Sequence, residues 1–150
     1  MKKKRGFEIV KKFKNKGIEI PHRSTANSAG YDIKAAEDIV IPSDGSIKLV
    51  STGLKAYMQK NEVLYLFSRS SGHYKRGIVL PNSVGIIDSD YYNNSGNEGE
   101  IFVQIRSLFM KKVFIKKGDR IAQAIFTPFL LSDDDNSNDI RIGGFGSTGK

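Results

Sequence analysis

A chain of 150 residues and 16.7 kDa is the size of one domain. Its composition, 39% hydrophobic and 27% charged, excludes a disordered or collagen-like chain, and the absence of cysteine excludes a disulfide scaffold, a thiol nucleophile and any cysteine metal site. With 24 basic and 16 acidic residues the net charge is +8, which raises nucleic acid as a partner.

The chain begins Met1-Lys2-Lys3-Lys4-Arg5, with no apolar stretch after it, so no secretory leader is expected. No apolar run approaches the roughly 18 residues of a membrane span, so no membrane association is expected and the default compartment is the cytoplasm. The first strand is predicted over residues 7–13, and a turn at Asn15-Lys16-Gly17 follows. After the turn Ser43-Asp44-Gly45 come strands over 46–50, 54–58 and 63–67. Residues 70–75 are the one candidate for a short helix. The stretch 93–99 reads as a turn, and strands follow over 101–106 and 121–126, separated by the turn Lys117-Gly118-Asp119. Alternating apolar residues in many short segments predict an all-β sandwich or barrel. Residues 132–139, Ser-Asp-Asp-Asp-Asn-Ser-Asn-Asp, read as a flexible acidic linker between a β domain over 1–131 and a Gly-rich arm over 140–150.

Five segments carry chemistry. Ala29-Gly30-Tyr31-Asp32 sets a glycine, which permits close backbone approach, beside a carboxylate within reach of a metal-bound water. Arg69-Ser70-Ser71 places a guanidinium and two hydroxyls at a strand end, which suits phosphate oxygens. Ile86-Ile87-Asp88-Ser89-Asp90-Tyr91 puts two carboxylates two residues apart, on one face if the strand continues, where they repel unless a cation or proton is near. One of them can act as a general base on water. Gly118-Asp119-Arg120-Ile121-Ala122-Gln123 carries a polar amide in an otherwise apolar strand. In the tail that begins at Arg141, Gly144 through Gly149 fits G-x-G-x-x-G and Gly144 through Lys150 fits most of a P-loop. Both patterns need a following helix to hold phosphate, and none is expected here. Its glycines, hydroxyls and Arg141 still suit phosphate. Taken alone, each segment also fits a solvated turn or a satisfied polar group. The basic residues lack the aromatic interleaving of a nucleic-acid platform, and an anionic small molecule accounts for them as well.

In this order the five segments resemble the motifs of the trimeric deoxyuridine triphosphatases (dUTPases), from Ala29 to Gly149. The resemblance implies a jelly-roll-like β fold, a homotrimer whose sites are shared between subunits, and hydrolysis of dUTP to dUMP and pyrophosphate with Mg²⁺. It implies Asp88 as the general base and Tyr91 as the ring that stacks on deoxyribose and excludes a 2′-hydroxyl. Asn82 and the backbone of a hairpin over 83–87, with Gly85 and Ile87, would read uracil. Arg69, Ser70, Ser71 and Gln123 would contact phosphate, and Asp32 would hold Mg²⁺ through water. Arg141, Gly146, Ser147 and Thr148 would close on the β- and γ-phosphates, with Phe145 covering the base. Ser71 stands where many relatives have glycine. Residues 92–98 form a longer connection than many relatives have. They also offer the alternative reading, a trimeric interaction protein that binds a regulatory partner through this loop. The deaminases of dCTP share the fold and an Arg-Ser-Ser segment, but the chain lacks their glutamate-centred site.

Overall fold

The structure is a computed structural model that describes residues 1–144. Those residues form eleven strands: β1 (Gly6–Ile9), β2 (Tyr31–Lys34), β3 (Ile39–Ile41), β4 (Lys48–Ser51), β5 (Leu54–Tyr57), β6 (Glu62–Phe67), β7 (Ile78–Val79), β8 (Gly85–Asp88), β9 (Phe102–Ser107), β10 (Val113–Ile115) and β11 (Arg120–Pro128). The expected all-β architecture is present. A four-stranded antiparallel sheet runs β2-β11-β6-β8 and a three-stranded one β4-β9-β7, with the pairs β1-β5 and β3-β10 beside them. The core lies between the two larger sheets. Ile33, Leu64, Leu66, Ile87, Ala122 and Ala124 from the first meet Val50, Val103, Ile105 and Ile78 from the second. Strand β9 shows why alternation is a sound signal: Val103 and Ile105 are buried while Phe102, Gln104 and Arg106 between them are half-exposed.

Three short helical segments interrupt the strands. Gly72–Arg76, a single π turn, falls on the segment expected to be helical. Lys11–Phe13 and Ser89–Tyr91 are 3₁₀ turns. The first of these cuts short the strand expected over 7–13. Strand β1 stops at Ile9, the Val10 amide donates to the Gly53 carbonyl at 2.9 Å, and the chain turns to bury Phe13 against Gly53. Burial of one large ring outweighs four further residues of sheet. Strands β2, β3, β7, β8 and β10 were not among those expected, and β3, β7 and β10, with two or three residues each, are too short to show a period.

The N-terminal strand is anchored by a buried acid. Glu62, 7% exposed, accepts hydrogen bonds from the Arg5 guanidinium and, at 3.1 Å, from the Gln59 amide. The Arg5 bond, more than the backbone bond, holds the Glu62 carboxyl below its ordinary value of 4.5 against the opposing effect of burial. A depressed carboxyl stabilises the fold above its unfolded-state value, and that contribution disappears as pH falls through the lower folded value. Arg5→Ala is therefore expected to lower the urea midpoint at pH 7, with the gap to the parent closing below about pH 4.5. A gap that is constant from pH 7 to pH 3 would contradict this assignment.

Candidate active site

Strands β2, β11 and β6 gather the first group of predicted residues. Gln123 on β11 stands opposite Asp32 on β2 and Phe67 on β6. Its amide crosses the backbone at Gly30, where a Cβ would lie 2.5 Å from Gln123 Oε1, so the expected close approach at this glycine is real. Gln123 Nε2 donates to the Ser68 carbonyl at 3.1 Å. Arg69, next in the chain, brings its Nε within 3.4 Å of Asp32 Oδ1. Two further groups meet Asp32. Arg120 lies 3.7 Å from Oδ2, and the Ser24 hydroxyl donates to Oδ2 at 2.8 Å. Sequence reasoning gave these two no role; Ser24 is eight residues from Asp32 and carries no local signal. Ser70 is exposed, and Ser71 has φ −97° and ψ −6°. That is ordinary right-handed backbone, so serine replaces glycine there without strain.

Two guanidiniums around one carboxylate leave net positive charge, which favours an anion such as phosphate. Among the described residues no group of three or more His, Cys, Asp or Glu forms a metal cage. A single hard carboxylate oxygen fits Mg²⁺, which keeps most of its waters and shares substrate phosphates.

The second group surrounds a cavity of about 190 Å³ lined by Asn82, Gly85, Ile87, Tyr91, Phe102 and Gly144, among others. Ligand pockets commonly run to roughly 300–1,000 Å³, so this one suits a single heterocycle, not a whole nucleotide. The approach to it is a tight turn in which Ser83 has φ 64° and the Val84 amide donates to the Asn82 carbonyl at 2.7 Å. The segment is not a paired hairpin as expected: β7 pairs with β9 and β8 with β6, so the turn links two sheets. Gly85 is required by packing, since a Cβ would sit 2.9 Å from Leu66 Cβ across the ladder. Tyr91 forms part of the cavity wall and is 4% exposed. Tyr92 turns away, its hydroxyl donating to Glu8 at 3.0 Å and its ring lying under Lys55.

Asp88 ends β8 and Asp90 sits in the following 3₁₀ turn, so they do not share a strand face. They converge all the same on the cation their repulsion called for. Arg141 donates through NH2 to Asp88 Oδ2 at 2.6 Å and through Nε to Asp90 Oδ1 at 2.7 Å. Its remaining nitrogen donates to the Gly143 carbonyl at 3.1 Å. Gly144 lies against the Tyr91 ring, where any Cβ would collide. Phe145, Gly146, Ser147 and Thr148 lie outside the described residues.

The two groups stand at opposite ends of β6. Asp88 pairs with Val63 and Gln123 with Phe67, four residues along the strand. At 3.3 Å per residue that is about 13 Å. A water shared between a carboxylate base and the phosphorus it attacks has to lie within about 3 Å of both. Within one chain Asp88 stands far from the group around Asp32 and Arg69.

The loop over 92–98, expected as a turn or a partner surface, is tied down on its own chain. Glu98 pairs with Lys55 at 3.3 Å and accepts from the Lys11 amide, and Asn93 accepts from Lys55 Nζ at 2.6 Å. These contacts give no support to a docking role. No helix among the described residues is long and apolar enough to cross a membrane.

Comparison with known proteins adds independent evidence. The dUTPase family model matches residues 16–149. A deoxyuridine 5′-triphosphate nucleotidohydrolase of Lactococcus lactis is 57% identical over 147 residues, 97% of either chain. The crystal structure of the dUTPase from Streptococcus mutans superposes with a TM-score of 0.81 at 52% identity, covering 85% of this chain and 98% of that one. A mutant dUTPase from phage phi11 of S. aureus, described as coordinating a structural Mg(II) ion, shares the fold at 18% identity and a TM-score of 0.71, over 91% and 98% of the two chains. With the five motifs in order, the all-β sheets and the family match over most of its length, the chain belongs to the dUTPase family.

Proposed function

We propose that the chain hydrolyses dUTP to dUMP and pyrophosphate, with Asp88 as the base that activates water for attack at the α-phosphorus. The observation that carries the mechanism is the one-ring cavity with Tyr91 in its wall, Asp88 at the end of β8, and Arg141 bound to that carboxylate. Uracil enters the cavity, where Asn82 and the backbone from 83 to 87 meet its fixed donors and acceptors. Cytosine presents the reverse pattern at two positions and leaves buried groups unpaired. The deoxyribose lies on Tyr91. Arg69, Ser70, Ser71 and Gln123 hold phosphate oxygens, and Asp32 holds Mg²⁺ through water. When bound, that ion neutralises phosphate charge and orients the triphosphate.

Arg141 bridges Asp88 and Asp90 and offsets one of their two charges, and phosphate oxygens compete for the same guanidinium. Its transfer to the triphosphate, together with Phe145, Gly146, Ser147 and Thr148 of the arm, leaves Asp88 able to accept a proton. Water then loses its proton to Asp88 as its oxygen bonds to the α-phosphorus, the bond to the α,β-bridging oxygen breaks, and pyrophosphate departs. Asp88→Asn keeps the shape but takes no proton. Its kcat is expected to fall on the order of 10²–10⁴-fold with dUTP binding retained, as read by single-turnover kinetics and titration. Full-rate hydrolysis would remove Asp88 from the mechanism.

The separation along β6 supports a homotrimer whose sites combine the base of one subunit with the phosphate residues of another. Exposed apolar side chains on the outer face of the β6-β8 ladder, Ile86 with half-buried Tyr65 beside it, suit such an interface. Asp88→Asn and Arg69→Ala variants, each inactive alone, are expected to regain activity when denatured, mixed and refolded together, because some mixed sites then carry both native residues. No regain in mixed trimers confirmed by mass would contradict shared sites.

A further inference from the structure

We propose that Asn97 is a specificity-determining positioning residue, which fixes the Tyr91 ring through its hydroxyl and so sets the preference for deoxyribose over ribose. The proposal rests on the reading of Tyr91 as the sugar platform.

The Tyr91 hydroxyl is held from two sides. It donates to the Glu100 carbonyl at 2.5 Å and accepts from Asn97 Nδ2 at 2.8 Å. Burial pushes this phenol up from its ordinary value, so it stays a neutral donor. Asn97 is itself fixed. Its Oδ1 accepts from the Gly99 amide at 3.0 Å and from Asn94 Nδ2 at 2.8 Å. Asn94 is buried and closes the loop on itself, its Oδ1 accepting from the amides of Gly96 and Asn97 and its Nδ2 donating to the Tyr91 carbonyl at 2.7 Å. One asparagine thus holds the backbone of Tyr91 while the other holds its far end. The loop that carries both is anchored in turn to Lys55 through Asn93 and Glu98.

A ring that rejects a 2′-hydroxyl does so only while it cannot yield. The added oxygen needs a displacement of well under the width of an atom, and a ring retained by packing alone shifts that far at small cost. Tying down the hydroxyl, the end of the side chain farthest from the backbone, removes the tilt by which the ring would make room. The same loop also touches the arm. A Cβ at Gly96 would lie 3.2 Å from the Ile142 carbonyl, and Gly144 rests on the Tyr91 ring. The connection over 92–98 therefore acts as a brace behind the sugar wall.

The test compares kcat/KM for dUTP and UTP in the full-length protein. Asn97→Asp keeps the acceptor for Gly99 and Asn94 but offers the tyrosine hydroxyl no N–H, and the single phenol proton serves either the new carboxylate or the Glu100 carbonyl, so one of the two tethers is lost. It is expected to lower the dUTP-to-UTP ratio on the order of tenfold, the value of about one hydrogen bond, chiefly by raising kcat/KM for UTP. Tyr91→Phe removes both bonds of the hydroxyl and is expected to lower the ratio at least as far. In the Tyr91→Phe background, Asn97→Asp is expected to change the ratio no further. An unchanged ratio in Asn97→Asp, or an equal drop in both backgrounds, would overturn the role of Asn97. Tyr91→Ala separates this failure from that of the underlying reading: a ratio unchanged there removes Tyr91 from sugar selection altogether.

Discussion

Strand β6 is the axis to which the chemistry is registered. It pairs with β8 on one side and β11 on the other, and each ladder fixes its residues by backbone hydrogen bonds that a one-residue slip would invert. Slipping β8 by one residue would turn Asp88 toward the core in place of Gly85 and Ile87 and bury a carboxylate without a partner. The core that holds Leu64 and Leu66 inward therefore also holds Asp88 near Val63, and Gln123 with Asp32 near Phe67. Burial decides the geometry, and the polar groups inherit it.

That inheritance places Asp88 and the cluster around Asp32 at opposite ends of one strand, and it accounts for the electrostatics of each end. Asp32 is outnumbered by Arg69 and Arg120, which leaves a positive field suited to a triphosphate. Asp88 and Asp90 outnumber Arg141, which holds the pair together and is drawn off by any richer source of anionic oxygen. Each cluster is one partner short of neutrality, in opposite senses. A substrate that bridges them satisfies both.

The all-β class was legible because β6, β9 and β11 are long enough to show their period, and the turns because glycine is favoured at positive φ, as at Gly45 and Gly118. The site was legible through the order of its motifs. Charge logic alone predicted that Asp88 and Asp90 needed a cation, but only the fold supplied its identity, 51 residues on from Asp90. What stayed hidden depended on contacts between distant segments. Phe13 bends β1 into a helical turn because a pocket at Gly53 waits for it, and Ser24 reaches Asp32 only because the chain between them folds back. Asn97 looked like one polar residue in a run of them, and its partner Tyr91 shows it to be a brace.

The central claim is that water, activated on the Asp88 side, attacks the α-phosphorus of dUTP. Hydrolysis in ¹⁸O-labelled water with mass analysis of both products tests it directly. The account predicts one ¹⁸O atom in dUMP and none in pyrophosphate. Label in pyrophosphate would show attack at the β-phosphorus and contradict the arrangement of base, sugar wall and phosphate residues described above.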